Sequence, residues 1–283
     1  MKTIRLLYPD HLSGGLDTYH FGANLMAHIL PNNPNQPLIK VPIAPPDTQP
    51  HQIIDGIFAK DTVFAGIQSA HTILQNEAPD KIITIGGNCI VSLAPFDYLH
   101  QRYENIGILW IGAHPDISTP QNGYPNAHAM VLGALLGQAN NPLSTLCKHT
   151  PFKADQVLYI GLQSILDYQA EFLTQAGVNY KIQTESFIEH QEIKDFLNRF
   201  DHILLHFDID VLDQKYFHST YFANPELTGD GSGAGKMTLD ELSSLLQFIH
   251  QHSNVVGFTI AEYLPFDEYR LHQIFNQIPL FSE

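Results

Sequence analysis

The sequence predicts an α/β protein with a central parallel β-sheet and helices on both faces of that sheet. Two observations indicate this fold class: short β-rich apolar runs alternate with longer segments of helical period, and the strand candidates are apolar on both faces. The run Ile106–Ile111 is almost wholly apolar, as expected when both faces of a parallel sheet are covered. Because no linker-like stretch or internal repeat interrupts the alternation, we expect one domain over residues 1–283.

The predicted strands and helices follow one another along the whole chain. The strands are Ile4–Tyr8, Ile39–Ile43, Lys81–Ile85, Ile106–Ile111, Val157–Leu162, Tyr180–Gln183, His202–Phe207 and Val255–Ala261. The helices are Thr18–Leu30, Asp61–Asn76, Val91–Tyr103, Ala127–Gln138, Ser164–Ala176, Ile188–Arg199 and Leu239–His252. Thr238, followed three residues later by Glu241, is the pattern of a capping box and marks the start of the last helix.

The composition limits the classes of partner and the compartment. The chain has 14 Lys and Arg against 29 Asp and Glu, a formal net charge of −15, which argues against nucleic acid and anionic membranes because both are bound by basic surfaces. No apolar run reaches the ~18 residues that span a bilayer, and the apolar start is too short for a secretory signal. The two isolated cysteines, Cys89 and Cys147, are typical of a reducing compartment. We therefore expect a cytoplasmic location.

Two long loops follow predicted strands, at the edge where open α/β sheets bind ligands. They are Pro115–Asn126 and Val211–Met237, and the second contains the glycine-rich run Gly229–Gly235. This run is either a substrate lid or a mobile surface loop. It is not a dinucleotide-binding turn, because such a turn leads directly from a strand into a helix.

Charged residues cluster at the ends of two predicted strands. His206, Asp208 and Asp210 occupy alternate positions, so that their side chains point to one face of a strand. Two carboxylates on one face repel each other unless a cation or a proton lies between them. His114 and Asp116 stand in the same alternating relation after the fourth strand. Since oxygen and imidazole donors together suit Mn, Zn, Fe or Ni, the sequence favours a transition-metal site over a merely hydrogen-bonded carboxylate pair.

Five short motifs occur in a characteristic order from about residue 81 onwards. They are Gly86-Gly87-Asn88-Cys89, Gly112-Ala113-His114-Pro115-Asp116, Asn126-Ala127-His128, Asp208-Ile209-Asp210 and Ala261-Glu262-Tyr263-Leu264-Pro265. They resemble the motifs of the ureohydrolases, the family of arginase, agmatinase and formimidoylglutamase. The resemblance implies a three-layer sandwich around a parallel sheet of about eight strands. It also implies hydrolysis of guanidino compounds at a two-manganese centre, and a homo-oligomer, either a trimer or a hexamer.

Two of the six metal-ligand positions implied by this resemblance are replaced. Cys89 stands where the family has His, and Gly112 stands where it has an Asp that bridges both metals. The four retained positions are His114, Asp116, Asp208 and Asp210. We therefore expect one divalent transition metal (Mn, Zn, Ni or Fe), or none if the site is degenerate. His114, Asp208 and Asp210 would hold it with one open position, Asp116 would orient a ligand or form a weak second site, and Cys89 and His206 are weaker candidate ligands.

The resemblance also implies roles for residues around the metal. His128 would relay a proton, the alternative being a solvent-facing histidine at a helix start. Glu262 would hold the cationic group of the substrate, the alternative being a neighbouring Lys or Arg. Asn126 and Asp213 would contact the substrate. Tyr124 and Pro125 stand where arginases have small polar residues, which argues against arginine itself as the substrate.

The sequence supports two main hypotheses of function. The first is a divergent metal-dependent hydrolase that cleaves a C–N bond of a small cationic guanidino or amidino molecule, with Asp210, His128 and Glu262 as its catalytic residues. The second is an inactive protein of the same fold that binds a ligand or regulates an active relative, motivated by the replacements at Cys89 and Gly112. A nucleophilic role for Cys89 is a weaker third alternative.

Overall fold

The computed structural model describes residues 1–184, 187–224, 226 and 232–281. Within them, seven parallel strands form one sheet in the order β2-β1-β5-β9-β8-β6-β7, and β3 and β4 form a separate antiparallel hairpin. The strands are β1 (Thr3–Tyr8), β2 (Leu38–Lys40), β3 (Ile53–Ile54), β4 (Ile57–Phe58), β5 (Lys81–Gly86), β6 (Ile106–Ile111), β7 (Val157–Ile160), β8 (His202–Asp208) and β9 (Val255–Ala261). The predicted fold class is confirmed, with a strand count close to eight.

Helices cover both faces of the sheet. They are α1 (Thr18–Ile29), α2 (Lys60–Glu77), α3 (Leu93–Arg102), α4 (Val131–Leu135), α5 (Asp167–Ala176), α6 (His190–Leu197), α7 (Leu239–His252) and α8 (Phe266–Asn276). The capping box at the start of α7 forms as predicted: the Thr238 hydroxyl accepts from the backbone N–H of Glu241, and the Glu241 carboxylate accepts from the backbone N–H of Thr238. No helix in the described ranges is both long and apolar enough to cross a bilayer.

The hydrophobic core lies in two layers, one on each face of the sheet. Along β6, the side chains of Ile108 and Trp110 pack in one layer, with α2, α3 and α4. Those of Leu109 and Ile111 pack in the other layer, with α1, α6 and α7. This alternation explains why the sequence of β6 is apolar at every position: neither face of a central strand meets water.

One predicted strand does not form, which is a correction to the sequence analysis. Residues Tyr180–Gln183 have no strand pairing. The side chain of Gln183 docks this segment onto the end of β7 instead: its Oε1 accepts from the N–H of Gly161 at 2.8 Å, and its backbone N–H donates to Leu162 at 2.7 Å. One backbone hydrogen bond and one hydrogen bond to a buried amide side chain therefore hold this segment in place of a strand ladder.

Two elements were not predicted. The hairpin β3–β4 turns at Asp55 and Gly56, which have φ of 51° and 76°; Asp-Gly between two apolar pairs is the usual sequence signal for such a turn. Helix α8 begins after Pro265 and has Asp267 and Glu268 in its first turn, where acidic side chains favour a helix start.

Candidate metal centre

The candidate site lies at the carboxyl edge of the four central strands. β5, β9, β8 and β6 are consecutive neighbours in the sheet, and every motif-bearing strand is among them. Cys89 follows β5, Glu262 follows β9, Asp208 ends β8, and His114 and Asp116 follow β6. Because all these strands are parallel, their carboxyl ends meet at one edge, and residues more than 170 positions apart in the chain become neighbours.

The backbone at this edge adopts uncommon conformations. Asp116 and Glu262 have positive φ values of 50° and 64°, and non-glycine residues in this region often mark functional sites. The backbone N–H of Glu262 donates to the carbonyl of Gly87 at 2.8 Å. A Cβ atom at Gly87 would lie 1.7 Å from the carbonyl oxygen of Asp10. Close backbone contacts therefore place Glu262 and the segment leading to Cys89.

Four buried side chains form the largest group of candidate metal ligands. Cys89, Asp116, His206 and Asp208 each offer one donor atom, and these atoms all lie within 4.8 Å of one another. Two smaller groups overlap with it: one contains Cys89, His128 and Glu262, and the other contains Asp208, Asp210 and Glu262. The structure thus brings together a set of donors that could hold a metal ion.

The acidic donors of this group lie close together and are buried. Burial raises the pKa of the Asp208 carboxyl well above its usual range, and the carboxylates of Asp210 and Glu262 raise it further. Burial likewise raises the pKa of the Cys89 thiol well above its ordinary value and that of Asp116 to about 7. The Cys89 thiol donates to Oδ2 of Asp208 at 2.9 Å. Buried anionic donors this close together favour either protons or a cation between them.

His206 contributes to this group from the interior of β8. Its ring is fully buried and stacks on Trp110, with 3.7 Å between the ring centroids. Nδ1 lies 2.8 Å from the Ser92 hydroxyl oxygen, whereas Nε2 has no hydrogen-bond partner. Burial lowers the pKa of His206 to about 3, so the imidazole is neutral at pH 7. Neutral imidazole is the form that binds metals.

Asp210 enters the site by a different route from the predicted one. β8 ends at Asp208, and residues Ile209–Val211 form a 3₁₀ turn, so strand alternation does not extend to Asp210. Oδ1 of Asp208 accepts from the backbone N–H of Asp210 at 2.8 Å. This turn directs the Asp210 carboxylate towards the segment after β6, where its Oδ1 accepts from the N–H of Ala113 at 2.8 Å.

Asp210 and His114 form a close pair. Nδ1 of His114 lies 2.7 Å from Oδ2 of Asp210. Burial alone would lower the pKa of His114, but the Asp210 carboxylate outweighs it and raises that pKa to about 9. For Asp210, burial would raise the pKa, but His114 and the hydrogen bonds of the carboxylate lower it. Among the described residues, His114 belongs to no group of three or more candidate ligands.

His128 and Glu262 form a second close pair, beside Cys89. Nδ1 of His128 lies 2.8 Å from Oε1 of Glu262, and Nε2 lies 3.1 Å from the Tyr124 hydroxyl. Glu262 is buried, whereas the His128 side chain keeps 15% of its exposure. Burial would lower the pKa of His128, but Tyr124 and Glu262 raise it well above its usual value. An imidazole held at both nitrogens is suited to moving a proton between two oxygens.

Besides Glu262, two further substrate-binding residues were predicted, and they lie in different places. Asn126 is half-buried beside the His128 pair, and its Nδ2 lies 3.3 Å from the Tyr124 hydroxyl. Asp213 caps the following turn, where its Oδ1 accepts from the N–H of Lys215 at 2.8 Å. Of the glycine run, residues 229–231 lie outside the described residues. Gly235 donates to the carbonyl of Asp210 at 3.1 Å, which ties that part of the run to the site.

One contributor was missed in the sequence: Ser92 contacts His206 across 114 positions, and no local pattern marks such a pair. Tyr124 was singled out only as a departure from the arginases, and its contact with the His128 ring was not predicted. Its position four residues before His128 was the available signal.

The fold and this edge define an α/β protein with a candidate metal centre beside a histidine–carboxylate pair. The family model described as Arginase family matches residues 47–272, and the chain belongs to that family. It is 23% identical over 209 residues to the arginase of Staphylococcus aureus (strain MRSA252), a match that covers 70% of this chain and 65% of that protein, less than two thirds of its length.

Solved structures show the same fold. The native arginase of Bacillus caldovelox superposes with a TM-score of 0.71 at 17% identity, covering 94% of this chain and 92% of that one. A putative agmatinase from Clostridium difficile gives a TM-score of 0.62 at 17% identity, with 93% and 87% covered.

The side chains do not fit the two-manganese centre that the family resemblance implies. A Cβ atom at Gly112 would lie 3.2 Å from the Cβ of Asp208 and 3.7 Å from Oδ1 of Asp210. The position therefore faces both aspartates, as a bridging ligand must, but glycine offers no donor. Cys89 offers a soft sulfur, which suits Mn²⁺ poorly. The candidate donors that the structure groups together are Cys89, Asp116, His206 and Asp208.

Proposed function

We propose that this protein is a hydrolase that cleaves a C–N bond of a small cationic guanidino or amidino molecule with the help of one divalent transition metal. The observation that carries the proposal is the contact between the candidate metal ligands and the pair of His128 and Glu262. Cys89 lies in hydrogen-bond range of both Asp208 and Glu262, at 2.9 and 3.5 Å. A metal bound among such donors supplies Lewis acidity and lowers the pKa of water.

Glu262 is suited to binding the cationic group of the substrate. It is 4% exposed, and Oε1 faces the His128 ring. No Lys or Arg in the described residues forms an ion pair with it. Burying a carboxylate is costly unless it is paired, and His128 offsets part of this cost, since its Nδ1 lies 2.8 Å from Oε1. A guanidinium or amidinium group would pair with the same carboxylate, and no Lys or Arg of the described residues competes for it.

His128 and Tyr124 are suited to proton transfer. The Glu262 carboxylate can only accept a hydrogen bond when ionised, so Nδ1 of His128 carries the proton in that state. Because the pKa of His128 is raised well above its usual value, the ring carries a second proton on Nε2, which lies 3.1 Å from the Tyr124 hydroxyl. His128 can deliver this second proton to the leaving amine, while Tyr124 and Glu262 hold the ring in place.

A substrate panel tests this proposal. The purified protein is loaded in turn with Mn, Zn, Ni or Fe and assayed for release of urea, ammonia or amine from guanidino, amidino and formimino compounds. We expect release with at least one metal, and its loss in Glu262→Gln but not in the exposed control Glu268→Gln. Absence of release with every metal and compound would contradict the proposal.

One observation favours the second function, an inactive protein that binds a ligand or regulates an active relative. Gly112 lacks a donor, and His114 and Asp210 bind each other at 2.7 Å. This function predicts a metal content well below one equivalent and a melting temperature that chelators leave unchanged.

A cytoplasmic location and a homo-oligomeric assembly remain predictions.

A further inference from the structure

We infer that this protein binds a single zinc ion between Cys89, Asp116, His206 and Asp208, rather than at His114, Asp208 and Asp210. The inference rests on the metal dependence in the proposed function, but not on any particular substrate. It assigns ligand roles to Cys89 and His206, the two weaker candidates in the sequence.

The spacing of the four donors suits one ion. Their donor atoms lie within 4.8 Å of one another. Tetrahedral zinc with bonds of about 2.0–2.3 Å places its ligand atoms roughly 3.3–3.8 Å apart. The group therefore needs at most a modest contraction to become a zinc site, and Sγ of Cys89 and Oδ2 of Asp208 already lie 2.9 Å apart. All four residues are at most 6% exposed, so the ion would be shielded from bulk solvent. The water that the proposed hydrolysis needs would take a fifth position on the ion.

The His206 ring is held ready for a metal. Its Nδ1 is engaged by Ser92, and the stack on Trp110 fixes the plane of the ring. Nε2 is buried and has no hydrogen-bond partner. Other buried histidines also have a ring nitrogen without a partner, but among them only His206 belongs to a group of candidate metal ligands in the described residues. A metal ligand histidine commonly has its other nitrogen hydrogen-bonded in this way, which fixes the tautomer.

The chemistry of the donors selects the ion. One thiolate, one imidazole and two carboxylates form a mixed set that zinc accepts, whereas thiolate sulfur disfavours Mn²⁺ and Mg²⁺. The three acidic groups would carry three negative charges when ionised, and a divalent cation offsets two of them. Without a cation, some of these acidic groups must keep their protons, and the Cys89 thiol donates one such proton to Asp208 in a hydrogen bond.

The alternative set is less suitable because its donors do not converge on one point. Among the described residues, His114 joins no group of three candidate ligands. Its Nδ1 lies 2.7 Å from Oδ2 of Asp210, whose Oδ1 accepts from the N–H of Ala113. Nε2 of His114, like Nε2 of His206, lacks a hydrogen-bond partner, so the grouping of the donor atoms is what distinguishes the two sets.

Matched variants test the inference through metal content. Cys89→Ser is compared with Cys147→Ser, the other cysteine of the chain. His206→Gln is compared with His202→Gln, on the same strand and likewise stacked on an aromatic ring, at 4.0 Å from Tyr103. Each protein is purified without chelator and its zinc is measured by mass spectrometry and competition with a chromophoric chelator. We expect about one equivalent in the wild type and both controls, and an affinity at least about 100-fold weaker in Cys89→Ser and His206→Gln.

Cobalt substitution reports the thiolate directly and needs no activity. We expect Co²⁺ bound to the wild type and to Cys147→Ser to show a sulfur-to-metal charge-transfer band, and Cys89→Ser to lack it. Circular dichroism shows whether each variant folds. If Cys89→Ser or His206→Gln fails to fold, two other measurements carry the test. The wild type should still show the cobalt band, and Ser92→Ala should bind zinc with an affinity about 10–100-fold weaker than the wild type.

The outcomes separate this inference from the proposed function. A wild type with less than about a tenth of an equivalent of zinc and no cobalt band overturns the inference. Loss of metal in His114→Gln, with metal retained in His206→Gln, also overturns it but leaves the proposed hydrolase intact. Zinc bound through Cys89 and His206, without release from any compound of the panel, overturns the proposed function alone.

Discussion

The ring of His128 bridges two residues: Nδ1 lies 2.8 Å from Oε1 of Glu262, and Nε2 lies 3.1 Å from the hydroxyl of Tyr124. Glu262 follows β9, whereas Tyr124 and His128 belong to the segment after β6. The His128 ring thus connects the segment after β6 with the segment after β9, and its orientation depends on both segments.

Removing the Tyr124 hydroxyl should impair catalysis without unfolding the protein. In Tyr124→Phe, Nε2 of His128 loses its partner, so the ring is less well oriented for proton transfer. We expect kcat to fall by about 10- to 100-fold, below the full contribution of a general acid, with little change in KM and a shifted pH profile. Tyr98→Phe, whose hydroxyl bonds to Pro79 away from the site, is the control. Equal kcat in both variants would contradict this role for Tyr124.

A side chain at Gly87 should destabilise the fold strongly. Its Cβ would lie 1.7 Å from the carbonyl oxygen of Asp10, whereas a Cβ at Gly112 has its nearest contact at 3.2 Å. We expect Gly87→Ala to lower the free energy of unfolding by about 3 kcal/mol or more, since overpacking against backbone cannot relax by side-chain rotation. Gly112→Ala should cost less. Urea denaturation measures both, and similar values for the two variants would be evidence against the close contact at Gly87.

The interaction between the side chains of His114 and Asp210 should increase the free energy of unfolding. Asp210 is 2% exposed, so removing its imidazole partner leaves a buried charge with only the Ala113 hydrogen bond. We expect His114→Ala to cost about 1–3 kcal/mol. The double-mutant cycle with Asp210→Ala, measured by urea denaturation in the presence of chelator, should show a coupling of similar size. A coupling near zero would mean that the two side chains do not interact in solution.

Stability should fall at acidic pH because of His100. This ring stacks on Phe152 at 3.8 Å and faces His149. Burial and His149 lower its pKa from 6.5 to about 4, against the opposing charge of Asp97. The unfolded chain therefore binds a proton that the folded protein does not bind between these values. The contribution is complete above pH 6.5 and is lost as the pH falls towards 4, at up to about 1.4 kcal/mol per pH unit.

His100→Gln removes this titration. We expect the unfolding free energy of the variant to depend less steeply on pH between about 6.5 and 4 than that of the wild type. The exposed histidine variant His250→Gln should retain the wild-type slope. Urea denaturation at a series of pH values makes the comparison, and parallel curves for His100→Gln and the wild type would exclude this origin of acid sensitivity.

The strand pattern of this protein could largely be predicted from its sequence. β6 and β9 have the predicted bounds Ile106–Ile111 and Val255–Ala261, because apolar runs flanked by polar residues are a local signal. Residues Tyr180–Gln183 carried a similar signal but form no strand. There a hydrogen bond to the Gln183 side chain and one from its backbone replace the hydrogen bonds of a strand ladder. The local sequence does not indicate this arrangement.

The sequence by itself determined the family, the fold class and which strand ends carry the donors, because motifs and periodicity are properties of short segments. Only the tertiary structure decided how the donors are grouped. It directs Asp210 to His114 through a 3₁₀ turn and brings the buried His206 ring beside Cys89. Strand order and register set these partners, and they arise from packing between segments roughly a hundred residues apart in the chain.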